Sequence, residues 1–178
     1  MARSRSAPST FKARARAVRL LVLDVDGVLT DGRLVYGPAG EEIKVFHVQD
    51  GLAIEAARRG GLRVAIISGR ASPAVSRRMA DLGVIEVHQG AGDKPAVLDA
   101  VLKRQGVRPR EAAYMGDDLT DLAILRSVGL ALAPANAAAE VKRVAHWVGR
   151  RRGGDGAVRE AVEAILKARG AWPPPQFA

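Results

Sequence analysis

The sequence predicts an α/β fold in which a parallel sheet lies between two layers of helices, a Rossmann-like three-layer arrangement. Short runs rich in valine, isoleucine and leucine alternate along the chain with segments of helical periodicity, which is typical of strand-helix-strand crossovers. The chain has 178 residues, of which 48% are hydrophobic and 26% charged. This length and composition suffice for one core, and we expect one domain over residues 20–170.

Six apolar runs are predicted as strands because each is short and bounded by glycine or polar residues. They cover residues 20–25, 63–67, 84–87, 112–115, 130–133 and 146–148. Helical spacing predicts helices near residues 51–59, 73–82, 94–105, 119–128, 137–144 and 156–169. Ser72 followed by Pro73 is a typical helix start, and Gly83 and Gly129 stand where helices should end.

One segment departs from this alternation. Residues 33–36 and 41–48 flank the turn-forming sequence Gly37-Pro38-Ala39-Gly40. This pattern predicts a small β-hairpin inserted after the first strand. The insertion is too short to form a domain of its own.

The formal net charge of +9 comes from the two ends of the chain. Residues 1–19 contain six basic residues and no acidic one, whereas residues 20–139 contain 14 basic and 15 acidic residues. We expect residues 1–19 to be a disordered basic tail and residues 171–178, with three consecutive prolines, to be a C-terminal tail. A nucleic-acid-binding module that uses the basic termini is an alternative function, but residues 1–19 offer only Phe11 for stacking on bases.

Several classes of protein are excluded by composition. The chain has no cysteine, so it has neither disulfides nor a thiolate nucleophile nor cysteine-ligated zinc. No apolar run approaches the roughly 18 residues of a membrane span, and the N-terminal stretch lacks the apolar region of a secretory signal. We expect no membrane partner and a cytoplasmic location.

Five carboxylates follow two of the predicted strands: Asp24, Asp26, Asp117, Asp118 and Asp121. Ligands bind open α/β sheets at the carboxyl ends of the strands. Turn formation and helix capping would explain some of these residues, since Asp-x-Asp-Gly is a common turn and Asp118 with Asp121 could cap a helix. Five converging carboxylates, however, repel one another unless a cation lies among them, and oxygen ligands suit Mg²⁺.

Two further residues complete a candidate phosphate site. Ser68 ends the strand at 63–67 and offers a hydroxyl, and Lys94 opens a helix and offers a cation. Each alone has an ordinary explanation, as a turn serine or a solvated lysine. Together with the carboxylates they form a set suited to phosphoryl transfer.

In their order along the chain these residues resemble the four motifs of the haloacid dehalogenase (HAD) superfamily, over residues 20–150. The matching motifs are Asp24-Val25-Asp26-Gly27-Val28-Leu29-Thr30, Ser68, Lys94 and Gly116-Asp117-Asp118-x-x-Asp121. The resemblance implies the HAD fold, with Asp24 as the nucleophile that takes the phosphoryl group. Asp26 would be the general acid for the leaving oxygen and then the base for water. Mg²⁺ would be held by Asp24, Asp117 and the backbone carbonyl of Asp26.

The same resemblance gives roles to the remaining residues. Ser68 and Lys94 would bind the transferring phosphoryl oxygens, while Asp118 and Asp121 would order the metal's waters and Lys94. Physical chemistry supports such a set, because a carboxylate that attacks a phosphate dianion needs its repulsion neutralised by cations.

The intervals between motifs leave no room for the cap domain that most HAD proteins carry. Residues 27–67 hold the hairpin and one helix, and residues 69–93 hold one helix and one strand. An uncapped site is open to water unless a neighbouring subunit closes it.

Among capless members the sequence resembles the 3-deoxy-D-manno-octulosonate 8-phosphate (KDO 8-phosphate) phosphatases over residues 20–170. The resemblance lies in residues 24–32, Glu41-Glu42-x-Lys44, Asp50-Gly51-x-x-Ile54, Ile67-Ser68-Gly69-Arg70, Gln89-Gly90 and Gly153-Gly154-x-Gly156-Ala157-Val158-Arg159-Glu160. It implies phosphate release from KDO 8-phosphate in lipopolysaccharide sugar biosynthesis. It also implies a homotetramer whose hairpins associate centrally and whose glycine-rich segment approaches a neighbour's site. Gly69, Arg70 and Arg159 become candidate substrate contacts.

Two departures from the family pattern bear on the substrate. A basic residue is common in the family where Gln49 and Asp155 stand, so both changes remove positive charge near the expected position of the substrate's carboxylate. Related capless enzymes act on other nine-carbon sugar-acid phosphates, so the resemblance leaves a phosphatase for another nonulosonate, sialate-type sugar phosphate as an alternative. A further alternative is that the protein is an inactive relative of these phosphatases that serves as a scaffold.

Overall fold

The computed structural model describes residues 10–175. The strands of this part of the chain are β1 (Leu20–Leu23), β2 (Val35–Tyr36), β3 (Glu42–Ile43), β4 (Arg63–Ile67), β5 (Glu86–His88), β6 (Ala112–Met115), β7 (Leu130–Ala133) and β8 (Trp147–Val148). Its helices are α1 (Phe11–Ala17), α2 (Val48–Arg59), α3 (Pro73–Asp81), α4 (Lys94–Gln105), α5 (Leu122–Ser127), α6 (Ala139–Val144) and α7 (Ala157–Arg169). Short 3-10 helices cover Pro109–Glu111 and Leu119–Asp121.

Six strands form one parallel sheet in the order β5-β4-β1-β6-β7-β8. In the register of the sheet, Leu23 pairs with Ile66 on one side and with Met115 on the other. β1 is therefore central, and the residues that follow β1, β4 and β6 emerge next to one another. The predicted Rossmann-like sheet is confirmed, as is the absence of a cap domain among the described residues.

Helices cover both faces of this sheet. Leu21 and Leu23 of β1 point into a core shared with α2, α3 and α7, whereas Leu20 and Val22 point into a second core shared with α4, α5 and α6. Successive side chains of a strand point to opposite faces. Both faces of β1 are buried, which explains why its sequence is continuously apolar.

The predicted hairpin is present but shorter than expected. β2 and β3 pair antiparallel around the turn, in which Gly40 has a φ of +82°. The predicted return strand to residue 48 is wrong beyond Ile43, and residues 44–47 connect β3 to α2. The helix begins at Val48, where the His47 side chain caps it by accepting a hydrogen bond from the Gln49 backbone N–H at 3.3 Å.

The disordered tail predicted for residues 1–19 is wrong for residues 10–19. Residues 11–17 form α1, which is capped by the Thr10 side chain. Ala15 and Val18 are buried against the core. Apolar residues at helical spacing between the arginines supply this buried face, which the basic composition conceals. Residues 1–9 lie outside the described residues.

The predicted C-terminal tail also begins too early at residue 171. Ala171 and Trp172 pack against the core that contains α7. The Arg159 guanidinium lies 4.7 Å from the centre of the Trp172 ring, a cation–π contact. Residues 176–178 lie outside the described residues.

None of the described helices has the length and apolar character needed to cross a membrane.

Candidate active site

The carboxyl ends of β1, β4 and β6 meet at an open cleft of about 750 Å³. Its lining includes most of the predicted site residues: Asp24, Asp26, Ser68, Gly69, Arg70, Lys94, Asp117 and Asp118. Asp121 is buried and contacts Lys94. The sheet topology thus brings together residues that are up to 97 positions apart along the chain.

Lys94 connects the carboxylates at the base of the cleft. Its Nζ donates to Asp24 Oδ2 at 2.8 Å and to Asp121 Oδ1 at 2.7 Å. The lysine is the first residue of α4, whose start is fixed by the Asp93 side chain, which accepts from the Ala96 backbone N–H. Burial lowers the pKa of Lys94, but the two carboxylates outweigh burial and raise it. The two ion pairs thus favour the charged form of this side chain.

Asp121 is fully buried and accepts four hydrogen bonds. The donors are Lys94 Nζ, the Tyr114 hydroxyl at 2.7 Å and the backbone N–H groups of Asp117 at 3.0 Å and Asp118 at 3.3 Å. Both carboxylate oxygens are thus committed to protein donors, and they fix the turn that carries Asp117. Sequence reasoning missed Tyr114, which reads as one more apolar residue of a buried strand.

Asp24, Asp117 and Asp121 form a cluster in which one carboxylate oxygen of each lies within 4.8 Å of the others. Burial, reinforced by repulsion from Asp121, raises the pKa of Asp24 to about 6. Burial and repulsion from Asp24 and Asp121 raise the pKa of Asp117 to about 7. Lys94 alone does not neutralise the cluster, so these hard oxygen donors fit a divalent cation such as Mg²⁺.

Gly27 allows a close approach between two segments of the site. A Cβ at this position would lie 1.9 Å from Asp117 Oδ2, and Gly27 has a φ of +84°. The Gly27 carbonyl accepts a hydrogen bond from Asn136 Nδ2 at 3.1 Å, and Asn136 Oδ1 accepts from the Gly153 backbone N–H at 2.6 Å. Asn136 was missed, although a polar residue soon after β7 is a signal that the same strand-end argument could have used.

Four residues form an ion-pair network at one side of the cleft, which we call the rim network: Asp26 and Arg70, which line the cleft, and Glu42 and Lys44, which pair with them. Lys44 Nζ contacts Asp26 Oδ1 and lies 3.2 Å from Glu42 Oε1. Arg70 Nη2 donates to Glu42 Oε1 at 3.0 Å. Burial raises the pKa of Glu42, but its hydrogen bonds with Lys44 and Arg70 outweigh burial and lower it. The hairpin therefore reaches the site, which its sequence alone did not reveal.

Ser68, Gly69 and Asp118 occupy the remaining cleft positions. Ser68 is buried, and its Oγ accepts from the Arg70 backbone N–H at 3.3 Å. A Cβ at Gly69 would lie 3.8 Å from Lys94 Cε, in ordinary van der Waals contact, so the loop after β4 passes beside the lysine. Asp118 is exposed, and its Oδ1 accepts from the Leu119 backbone N–H at 2.8 Å, as a cap of the 3-10 helix.

Arg159 does not reach this cleft within one chain. It lines a separate depression together with Gln49 and Gly156. Its backbone N–H donates to Asp50 Oδ1 at 2.8 Å, and its Nε lies 3.4 Å from Glu163 Oε2. The structure thus separates Arg159 from the other predicted substrate contacts.

The fold and the strand-end carboxylates define a capless hydrolase of the HAD class, and residues 79–160 match the family model of haloacid dehalogenase-like hydrolases. The chain is 42% identical over 158 residues to the KDO 8-phosphate phosphatase KdsC of Escherichia coli K12, covering 89% of this chain and 84% of that protein. It therefore belongs to the KDO 8-phosphate phosphatase family.

Solved structures agree with this assignment. A KDO 8-phosphate phosphatase from Moraxella catarrhalis, in complex with magnesium, phosphate and KDO, has a TM-score of 0.88 and 39% identity, covering 90% of this chain and 92% of that one. A probable YrbI family phosphatase from Pseudomonas syringae pv. phaseolica has a TM-score of 0.90 and 45% identity, covering 93% and 94% of the two chains.

Proposed function

We propose that this protein is a Mg²⁺-dependent phosphatase that releases phosphate from KDO 8-phosphate through an aspartyl-phosphate intermediate. The observation that carries the proposal is the contact of Asp24 with Lys94, next to Asp117, at the mouth of a parallel sheet. Relatives named KDO 8-phosphate phosphatase share 42% identity over most of the chain.

The residues at the cleft suit two successive transfers. The Asp24 carboxylate attacks phosphorus, the bond from phosphorus to the sugar oxygen breaks, and that oxygen takes a proton from Asp26. Asp26 then removes a proton from water, which attacks the phosphorus, and inorganic phosphate leaves as the Asp24 carboxylate is regenerated. Lys94 and the Ser68 hydroxyl bind phosphoryl oxygens. Positioning and charge neutralisation account for most of the rate enhancement in such transfers.

Mg²⁺, when bound, neutralises the negative charge of nucleophile and phosphate. In our proposal Asp24, Asp117 and the backbone carbonyl of Asp26 hold it, while Asp118 and Asp121 order its waters and Lys94. Asp121 orders Lys94 through its hydrogen bond with the lysine, and it is itself held by the turn at Asp117.

Substrate selection is proposed to come from the rim of the cleft and from a neighbouring subunit. Gly69 lies beside Lys94, and Arg70 offers a half-exposed guanidinium. Arg159 would contact the sugar acid in a neighbour's cleft. Gln49 is neutral and Asp155 acidic where a basic residue is common in the family, so a sialate-type sugar phosphate is tested as the second candidate substrate.

We infer a homotetramer built around the hairpin from the family resemblance, and the apolar surface of the hairpin supports self-association. Large hydrophobic side chains are exposed along the hairpin and the start of α2: Leu34, Val35, Tyr36, Ile43, Val45, Val48 and Leu52. A cluster of this kind marks an interaction surface.

Family membership further supports a cytoplasmic location.

Two of the described basic residues near the N-terminus, Arg14 and Arg16, have partners within the chain. Arg14 Nη1 donates to the Gly129 carbonyl at 2.6 Å, and Arg16 Nε donates to the Ala168 carbonyl at 2.9 Å. These arginines attach α1 to the body of the protein. Nucleic-acid binding therefore gains no support from α1.

The test of the proposed function is phosphate release from KDO 8-phosphate with and without Mg²⁺. Nonulosonate 9-phosphates and simple phosphate esters are compared at the same concentrations. We expect Mg²⁺-dependent turnover with a preference for KDO 8-phosphate by kcat/KM. A preference for a nonulosonate 9-phosphate would select the second candidate, and equal turnover of unrelated esters would contradict both.

A further inference from the structure

Lys44 has an ammonium group that is buried within an otherwise exposed segment. Its side chain is 2% exposed, whereas its neighbours Ile43 and Val45 are exposed. Burying a lysine costs free energy unless carboxylates compensate the charge. The compensating groups are Asp26 and Glu42. The hairpin thus directs one cation inward, onto a residue of the cleft.

Asp26 depends on other segments for the placement of its carboxylate. Among the described residues its ion-pair partners are Lys44 from the hairpin and Arg70 from the loop after β4. Lys44 Nζ contacts Oδ1 directly, while Arg70 Nε stands 3.8 Å from Oδ2. Since Arg70 is 47% exposed, its pull on Asp26 is screened by solvent. Lys44 is therefore the stronger constraint on Asp26.

Glu42 in turn holds Lys44 in place. Its Oε1 lies 3.2 Å from Lys44 Nζ and accepts a hydrogen bond from Arg70. Two acids and two bases balance within the rim network, so the network needs no added cation. A balanced and mostly buried network of this kind fixes side-chain positions.

We propose that Lys44 is a positioning residue that holds the Asp26 carboxylate where it transfers protons to the leaving oxygen and from water. This inference rests on the proposed function, in which Asp26 is the acid and base. Lys44 acts through Asp26 and so bears on proton transfer more than on substrate binding. Small displacements of a catalytic group reduce rates strongly.

The experiment compares Lys44→Gln with the wild type on two substrates. KDO 8-phosphate has an alkoxide leaving group that needs a proton, whereas 4-nitrophenyl phosphate has a leaving group that does not. For K44Q we expect kcat on KDO 8-phosphate to fall by about tenfold or more with KM changed less than about twofold. With 4-nitrophenyl phosphate, a rapid burst of nitrophenol should persist, followed by a slowed steady state in which Asp26 must activate water.

Two matched variants separate positioning from general structure. Lys44→Arg keeps the positive charge and should restore most of the activity that K44Q loses. Arg33→Met removes an exposed cation from the segment that leads into the hairpin and should leave both rates unchanged. The assignment would be overturned if K44Q lost the burst and the steady-state rate with 4-nitrophenyl phosphate in the same proportion as kcat on KDO 8-phosphate. It would also be overturned if K44Q lost no activity.

Folding and function are checked separately. Thermal unfolding is recorded for each variant, and if K44Q does not fold, Glu42→Gln, which frees Lys44 without removing it, is assayed instead. A smaller loss confined to proton-dependent steps is expected for E42Q, and a uniform loss counts against the proposal. A wild type without phosphatase activity would contradict the proposed function itself, whereas an active wild type with an equally active K44Q contradicts only the role of Lys44.

Discussion

The base of the cleft and its rim differ in charge balance. At the base, the carboxylates Asp24, Asp117 and Asp121 surround one cation, Lys94. At the rim, two carboxylates and two cations compensate one another. The pKa values reflect this difference, because burial and repulsion raise those of Asp24 and Asp117, whereas the cations lower that of Glu42.

The two regions also rest on different supports. The base is built on the ends of buried central strands and on Asp121, whose oxygens are all bonded to protein donors. The rim is attached to a two-stranded hairpin whose apolar side chains face outward. An unbalanced rigid cluster is suited to bind a cation, and a balanced network on a small insertion is suited to position groups around it.

The largest expected effect comes from removing the proposed nucleophile at the base of the cleft. Asp24→Asn should reduce phosphate release by at least roughly 1,000-fold, because an amide cannot form the phosphoenzyme. The fold should survive, since the substitution is nearly isosteric and removes charge from a repulsive cluster. Activity is measured by phosphate release and folding by circular dichroism. Asp99→Asn, on the exposed face of α4, is the control, and comparable activity in both variants would contradict the assignment.

The close approach of Gly27 to Asp117 predicts the next largest effect. Gly27→Ala combines a positive φ with a Cβ that would lie 1.9 Å from Asp117 Oδ2, so we expect about a 100-fold loss of activity and a lower thermal midpoint. Gly61 has a φ of +82° with no atom within 4 Å of its Cβ position, so Gly61→Ala isolates the backbone strain. Similar activity losses in the two variants would show that the contact with Asp117 is unimportant.

These two regions also differ in how well the sequence predicted them. The base follows from local patterns, since Asp24, Ser68 and Asp117 each come just after an apolar run, and strands β4, β6 and β7 have the predicted bounds. Parallel strands place their carboxyl ends at one edge, so a pattern along the chain becomes a site in space.

The rim could not be predicted in this way. Lys44 meets Asp26 across 18 positions through the path of a hairpin, and no periodicity fixes where such a hairpin folds. The same limit applies to Arg159, whose distance from the cleft depends on the packing of α7, and to α1, whose buried face is hidden by basic composition. Tertiary packing decides these positions, and local sequence carries little of that information.

A smaller effect is expected from the exposed end of the rim. Arg70→Met should raise KM for KDO 8-phosphate about tenfold, because it removes the guanidinium that we propose pairs with the sugar acid, while KM for 4-nitrophenyl phosphate stays nearly constant. Arg70 also pairs with Glu42, so Arg70→Lys is assayed as the variant that retains charge. An equal rise of KM for both substrates would contradict a contact with the sugar.

The smallest expected effect is the difference between the base and the rim in how their contributions to stability depend on pH. With Asp24 and Asp117 at pKa values of about 6 and about 7, against 3.8 in the unfolded chain, the folded metal-free protein holds protons between about pH 4 and pH 7 that the unfolded chain has released. Unfolding then releases protons, so stability contributed by these groups falls as pH rises through this window. The lowered pKa of Glu42 acts in the opposite sense, and only below its ordinary 4.5.

The thermal midpoint of the metal-free protein, measured between pH 5 and pH 8, should therefore fall by about 5 °C more in the wild type than in Asp117→Asn. Mg²⁺ competes with these protons, so it should raise the midpoint more at pH 8 than at pH 5. Other groups also titrate in this range, such as His146, whose pKa is lowered by burial. Their contribution to the change in midpoint is the same in D117N and cancels when the two proteins are compared. If Asp117 belongs to a repulsive cluster, replacing its carboxylate by an amide should reduce the dependence of the thermal midpoint on pH. Parallel plots of midpoint against pH for the wild type and D117N would therefore show that the charge imbalance does not lie at the base of the cleft.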